Sequence, residues 1–234
     1  MNWNEIHSDV VKRLDNIEFS QPVFHVYNPL VYAMKNYEQY LDKFGSGETR
    51  LVFLGMNPGP FGMVQTGIPF GEVTAVKDFL KISDMTDEPA AQHPVRKIEG
   101  FNCRRSEVSG RRLWGFFQEK FDCSENMAGK VFVANYCPLA FLTERGSNIT
   151  PDKLKKSEQR ELYEVCDDLF KNTIRMLNPE VVIGIGNFAA ECASRLITDS
   201  DCRILKIPHP SPANPRANKF WKQDTEEIIG NLLD

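Results

Sequence analysis

No apolar run in the chain approaches the ~18 residues that a membrane-spanning helix needs, and the opening MNWNEIHSDVVKRLDN lacks the basic start and apolar centre of a secretion signal. The chain therefore reads as soluble and intracellular, with no membrane partner. Its six cysteines, at 103, 123, 137, 166, 192 and 202, form no CxxC pair and have no histidine at finger spacing. Zinc and iron–sulfur sites are left without support, and the thiols read as reduced and mostly buried. Phosphate-binding signatures are missing too: no GxGxxG opens a helix, and no GK[ST] closes a glycine loop. GIGNFA, with Gly184 and Gly186, matches the dinucleotide fingerprint by two glycines only. No GxSxG elbow accompanies Ser211 and His209, which argues against nucleophilic acyl chemistry, and no acidic cluster stands at a strand end to bind magnesium. Neither a low-complexity linker nor an internal repeat divides the 234 residues.

What is present is a globular composition, with 41% hydrophobic and 26% charged residues, enough to bury a full core. The net charge of −4 argues against a protein that coats nucleic acid by bulk electrostatics, but the charge is uneven. Five Lys or Arg and no Asp or Glu lie between Arg203 and Lys222, and six basic residues between Arg96 and Arg112 face only Glu99 and Glu107. Such stretches can be plain solvated surface or the footprint of a polyanion.

Four short runs, RLVFLG, KVFVANY, EVVIGIG and CRILKIP, are continuous in apolar residues, the pattern of strands covered on both faces. Helical stretches separate them, over 30–43, 71–82, 109–120, 151–177 and 187–197, with a last one near 217–233. Thr150 as N-cap and Pro151 at the first helical position mark the start of the fourth. The expectation is an α/β fold: a three-layer αβα sandwich around a central, mainly parallel four-stranded sheet. One domain is expected over residues 1–234, with 1–18 as an N-terminal helical extension.

In such sheets the ligand crevice lies beyond the carboxyl ends of the strands. After the first strand comes MNPGPFGMVQTG, after the second NYCPL, after the third GNFA and after the fourth HPSPANPRANK. Asn57, Asn135 and His209 thus stand at or just past three strand ends, where they would converge on one pocket. The stretch from Phe53 to Gly71 holds five glycines and three prolines, and Pro58 and Pro60 remove backbone donors and fix φ, so this loop is stiff rather than an open cradle of amides. Two amides and one imidazole make a poor general-base apparatus. They suit a reaction in which a bond breaks first, with hydrogen bonds stabilising a departing anion and positioning water for a cationic carbon. Cleavage of an N-glycosidic bond fits that description.

The stretches GMNPGPFGMVQTGIPFGEV, SEVSGRRLWGFF, NYCPLAFL and HPSPANPRANK together closely resemble the single-strand-selective monofunctional uracil-DNA glycosylases, within the uracil-DNA glycosylase superfamily. The resemblance runs from about residue 19 to the C-terminus. It implies that Asn57 holds the attacking water and that His209 hydrogen-bonds the uracil O2 as negative charge builds on the leaving base. Asn135 would read O4 and N3–H, and Phe70 would stack on the base face, a contact worth roughly 1–3 kcal/mol in aromatic–base pairs. Gly59 and Met63 would lie along the 5-position, where the family tolerates substituents such as hydroxymethyl. The segment of Ser211, Pro212, Ala213, Asn214, Pro215, Arg216 and Lys219 would wedge into the duplex and support a flipped base. The implied protein is a monomer acting in base-excision repair on uracil in single- and double-stranded DNA, without a cofactor, in the nucleus of a eukaryote or otherwise in the cytoplasm. The products would be an abasic site and free base.

Taken singly, the residues have other readings: Asn57 and Asn135 as turn residues, Phe70 as core, His209 between prolines as a rigid surface turn. A mismatch-directed uracil or thymine glycosylase of the same superfamily and a non-catalytic nucleobase-binding module are the competing functions, with a Rossmann-type dehydrogenase far behind. One position departs from the resemblance. Where the best-known vertebrate members carry arginine two residues after the Ser of HPSP, this chain has Ala213. Weaker opening of well-paired U·A sites is expected, with activity on single strands and mismatches retained.

Overall fold

The four apolar runs become the strands of one sheet. The computed structural model describes residues 2–84, 86–198 and 202–233. In chain order the elements are α1 (Trp3–Leu14), β1 (His25–Tyr27), α2 (Pro29–Tyr32), α3 (Met34–Phe44), β2 (Leu51–Gly55), α4 (Met63–Thr66), α5 (Val108–Phe121) and β3 (Val131–Asn135). They continue with β4 (Ala140–Leu142), β5 (Asn148–Ile149), α6 (Lys156–Leu177), β6 (Val181–Ile185), α7 (Asn187–Leu196), β7 (Arg203–Ile207) and α8 (Ala217–Ile229). The main sheet has the order β3-β2-β6-β7, and every pairing in it is parallel. Every residue of β2 and β6 is buried, which is why these runs are apolar without alternation, whereas edge strand β7 exposes Arg203 and Lys206.

The register shows the layers. Phe53 of β2 meets Phe117 of α5 edge-on at 5.0 Å, so that face belongs to α5. Its neighbour Leu54 points to the other face and pairs with Gly184, where a Cβ would stand 2.5 Å from the Ala190 backbone of α7. Helices therefore cover both faces, as the αβα expectation required. Strand order reverses at β2, with β3 on one side and β6 on the other, and this puts the crevice beyond Gly55. From α1, Ile6, Val10 and Leu14 join the main core, and Trp3 Nε1 donates to Gly45 O at 2.8 Å.

Several helix expectations are corrected. The stretch 30–43 is two helices, because Ala33 (φ −118°, ψ 21°) breaks the chain between α2 and α3. Over 71–82 there is no long helix but a π turn, Ala75–Phe79, bounded by positive φ at Phe70 (54°) and Lys81 (56°). The one α-helical turn of this region, α4, lies inside the glycine-rich loop instead. Thr150 and Pro151 open only a 3-10 turn, Pro151–Lys153, after which Leu154 and Lys155 are extended. Helix α6 begins at Lys156, where Glu158 accepts the Lys155 N–H at 3.1 Å and reaches back to the Ser20 N–H at 2.8 Å. After Ile229 the chain turns at Gly230 (φ 51°) into a 3-10 turn, so the last helix is shorter than expected. A second, antiparallel sheet, β1-β4-β5, was not foreseen.

Candidate active site

Beyond the ends of β2, β3 and β7 lies a cavity of about 420 Å³, in the usual range for a small-molecule site. Asn57, Gly59, Phe70, Asn135, His209, Ser211 and Pro212 line it. The three polar residues expected at strand ends do converge there. Gly55 lets two of these side chains approach: a Cβ on it would stand 2.4 Å from the Phe70 ring and 2.5 Å from Asn135 Oδ1. A side chain at the end of β2 would therefore push the aromatic wall and the amide apart.

The loop that leaves Gly55 is zipped to the loop leaving Asn135. The Tyr136 N–H donates to Gly55 O and the Cys137 N–H to Met56 O, both at 2.9 Å. Asn57 Nδ2 donates to Leu139 O at 3.2 Å, which fixes the amide, and among the described residues no donor occupies its Oδ1, the acceptor left for the cavity. Asn135 Nδ2 donates to the thioether of Met63 at 3.3 Å, a weak acceptor, while its buried Oδ1 has no hydrogen-bond partner among the described residues. An unpaired buried acceptor costs about 1–3 kcal/mol, so this amide is kept for something other than stability. Met63 itself is buried beneath Asn135, outside the cavity lining.

Phe70 adopts the left-handed region (φ 54°), where a residue with a Cβ is strained by of order 1–3 kcal/mol. Three contacts hold it there. Trp114 Nε1 donates to Pro69 O at 3.2 Å, the Glu72 N–H donates to Phe70 O at 2.7 Å, and Gly110 of α5 lies so close that a Cβ would collide with that carbonyl. The ring faces His209, with centroids 6.0 Å apart. His209 Nδ1 accepts the Ser211 N–H at 3.1 Å, so in the neutral ring the proton sits on Nε2. Burial lowers the pKa of this imidazole below its ordinary value, which keeps it neutral at pH 7. Gly186, at the end of β6, packs behind it. The pocket thus presents one amide acceptor, a second amide, a neutral N–H donor and an aromatic face.

The remainder of the expected wedge is at the surface. Pro212, Ala213, Pro215, Arg216 and Lys219 are exposed. Asn214 is used locally, accepting the Arg216 N–H at 3.2 Å as the chain enters α8. Arg216 makes a two-pronged ion pair with Asp224, at 2.6 and 2.7 Å, and lies over Phe220. Three of the proline carbonyls are held by side chains: Pro208 O by Trp221, Pro210 O by Arg112 and Pro212 O by Asn218.

Glu107 was missed as a site residue. It lines the cavity at the start of α5, and its carboxylate accepts the N–H groups of Ser109 (3.2 Å) and Gly110 (2.7 Å). Burial raises its pKa, and those two N–H groups oppose the shift. With both oxygens engaged, Glu107 is a fixed buttress: a Cβ on Gly59 would stand 3.6 Å from it and one on Gly62 3.1 Å. Asn148 and Thr150, from the unforeseen small sheet and the turn after it, also reach the lining. Among the described residues no group of three or more His, Cys, Asp or Glu could hold a metal ion, and no helix is long and apolar enough to cross a membrane.

Residues 43–232 match the uracil DNA glycosylase superfamily. A single-strand selective monofunctional uracil DNA glycosylase from Bos taurus is 39% identical over 221 residues, covering 94% of this chain and 81% of that protein. Its counterpart from Rattus norvegicus is 38% identical, covering 94% and 80%. The crystal structure of a Pedobacter heparinus protein, SMUG2, superposes with a TM-score of 0.60 at 16% identity, covering 97% of this chain and 95% of that one, a likeness of fold.

Proposed function

The chain belongs to the uracil DNA glycosylase superfamily and, within it, to the single-strand selective monofunctional uracil-DNA glycosylases; from that premise we propose how its pocket releases the base. The enzyme is a hydrolase of the N-glycosidic bond of uracil in DNA, serving base-excision repair. Uracil enters the cavity flipped out of the strand, with Phe70 against its face. Asn135 reads the Watson–Crick edge: the amide oxygen that lacks a protein partner takes N3–H, and Nδ2 leaves the weak Met63 sulfur for O4. Cytosine offers the opposite pattern and leaves both groups unpaired.

As the glycosidic bond lengthens, negative charge collects on the base and the sugar carbon becomes cationic. His209 donates from Nε2 to O2, neutral before the reaction and fixed in tautomer by the Ser211 N–H. Asn57 Oδ1 accepts from the water that adds to the sugar carbon. No base strong enough to ionise that water beforehand is needed, because the carbon is already electrophilic; the proton released as the C–O bond forms passes to solvent, and the departed uracil anion takes one up. Gly59 leaves room at the 5-position, which favours acceptance of 5-hydroxymethyluracil. We extend the reading to uracil in mismatched duplexes as well as single strands, to a monomer, and to the nucleus where the host is eukaryotic.

The observation that carries this reading is the meeting of Asn57, Asn135, His209 and Phe70 around one cavity at the switch point of the sheet. A uracil-containing single strand, incubated with the protein and run on a gel with and without alkali, tests it. Strand breaks that appear only after alkali are expected; absence of any abasic product would overturn the reading.

A further inference from the structure

Beside the base pocket lies a groove that the chemistry above does not use. Phe61 belongs to both: it lines the cavity and also the neighbouring groove of about 290 Å³. Arg96, Lys97 and Arg105 line the groove, with Glu99 as the carboxylate among them. The Arg105 guanidinium lies 4.0 Å from the centroid of the Phe61 ring, and that of Arg96 lies 5.2 Å from it. Arg96 is anchored by Nε donating to Gly146 O at 2.9 Å. Arg105 is exposed, and among the described residues no carboxylate forms an ion pair with it.

The groove is also preformed. Gln65 fastens its wall to the first loop, donating to Pro60 O and Lys97 O at 3.1 Å and accepting the Glu99 N–H at 2.8 Å. An arginine resting on an aromatic ring is partly desolvated and already oriented, and its flat outer face can stack a base while its N–H groups reach a phosphate. In a chain of net charge −4, unpaired cations concentrated beside the site mark where an anion approaches.

We propose that this groove holds the nucleotide next to the deoxyuridine whose base is excised, on the same strand, with Arg105 and Arg96 on its phosphate and the Phe61–Arg105 stack beneath its base. The inference rests on the glycosylase reading, because continuity with the base pocket through Phe61 identifies the occupant. It gives a single strand its own hold on the enzyme, independent of the exposed loop after β7.

The test uses three single-stranded oligonucleotides of equal length with uracil at the 5′ end, the centre or the 3′ end, and measures uracil release from each by the wild type and by Arg105→Ala. The variant is expected to lose about tenfold in kcat/KM on the central substrate, the size of one lost stacking and phosphate contact. On whichever terminal substrate lacks the nucleotide that fills the groove, variant and wild type should be equal. The slope of log affinity against log salt on the central substrate should fall by about 0.7, one phosphate contact on a single strand. Arg105→Lys should restore the salt slope while recovering only part of the rate. An equal loss at all three positions, or no loss at the centre, would overturn the proposal while leaving the glycosylase intact. A wild type that releases no uracil from any strand would instead sink the reading beneath it.

Discussion

The loop after β2 and the loop after β7 meet across one pocket, through Phe70 and His209, but they are held in different ways. From Gly62 to Gly71 every residue of the first is buried, its backbone is bonded to the loop after β3, and its aromatic wall sits in a strained conformation that Trp114, Glu72 and Gly110 maintain. Beyond Ser211 the tip of the last loop is largely exposed, and its shape comes from side chains of α5 and α8 that hold proline carbonyls. The difference separates tasks. Groups that must stand within a few tenths of an ångström of reacting atoms are on the overdetermined loop, and groups that meet a deformable strand are on the exposed one. His209 belongs by sequence to the last loop but is half-buried, its ring against Phe70 of the first.

That placement can be broken by substitution. His209→Ala should lower the single-turnover rate of uracil release about 10²–10³-fold, the usual cost of a lost donor to developing negative charge, with DNA affinity little changed. A variant that binds poorly but cleaves at the normal rate once saturated would move His209 to the exposed side of the comparison.

Acid separates the site from the scaffold. Burial lowers the pKa of His209 and holds that of His7, in α1, down to about 4, so both rings are neutral in the folded protein at pH 7. The unfolded chain takes up these protons as pH falls below ~6.5, so their contribution to stability is complete above that pH and is lost as pH falls towards the folded values. For His7 the loss amounts to ~3 kcal/mol between pH 6.5 and about 4. Urea unfolding across that range should show it, and His7→Phe should flatten it. The rate of base release should fall to half only below pH 6.5, because burial holds the His209 pKa under that ordinary value; a rate that halves at or above pH 6.5 would contradict the assigned state of the ring.

A smaller effect concerns the buttress. Glu107→Ala removes a helix cap and the packing beneath Gly59 and Gly62, and should cost about 1 kcal/mol in urea unfolding, with a rate loss that Glu107→Gln, which keeps the packing but only one of the two acceptor oxygens, repairs in part. The smallest effect is expected at the exposed tip. Ala213→Arg should raise the rate on U·A duplexes a few-fold and leave single-strand rates unchanged, whereas equal wild-type rates on U·A and U·G duplexes would show that the tip does not limit duplex opening.

The legible parts of the chain were those whose cause is local. Continuous apolar runs gave away the strands because burial on both faces removes alternation, and strand ends then pointed to Asn57, Asn135 and His209. Elements fixed by distant contacts stayed hidden. β1 and β5 have three and two residues, too short for any periodicity, so Asn148 and Thr150 could not be placed at the pocket. Glu107 gave only the signal of an acidic residue ahead of a helix, and its seat under the first loop depends on how α5 docks. The partner that orients Asn135 is Met63, 72 residues away. Phe70 was placed by resemblance alone, since its left-handed backbone is imposed by Trp114 and Gly110.

The division of labour between the loops is tested most directly at Asn57, by measuring affinity for a uracil-containing single strand and the single-turnover rate of base release on the same oligonucleotide. Asn57→Ala should bind within a few-fold of wild type while releasing uracil at least ~100-fold more slowly. A variant that keeps a near-normal rate, or whose loss lies wholly in binding, would contradict the assignment of the chemistry to the first loop.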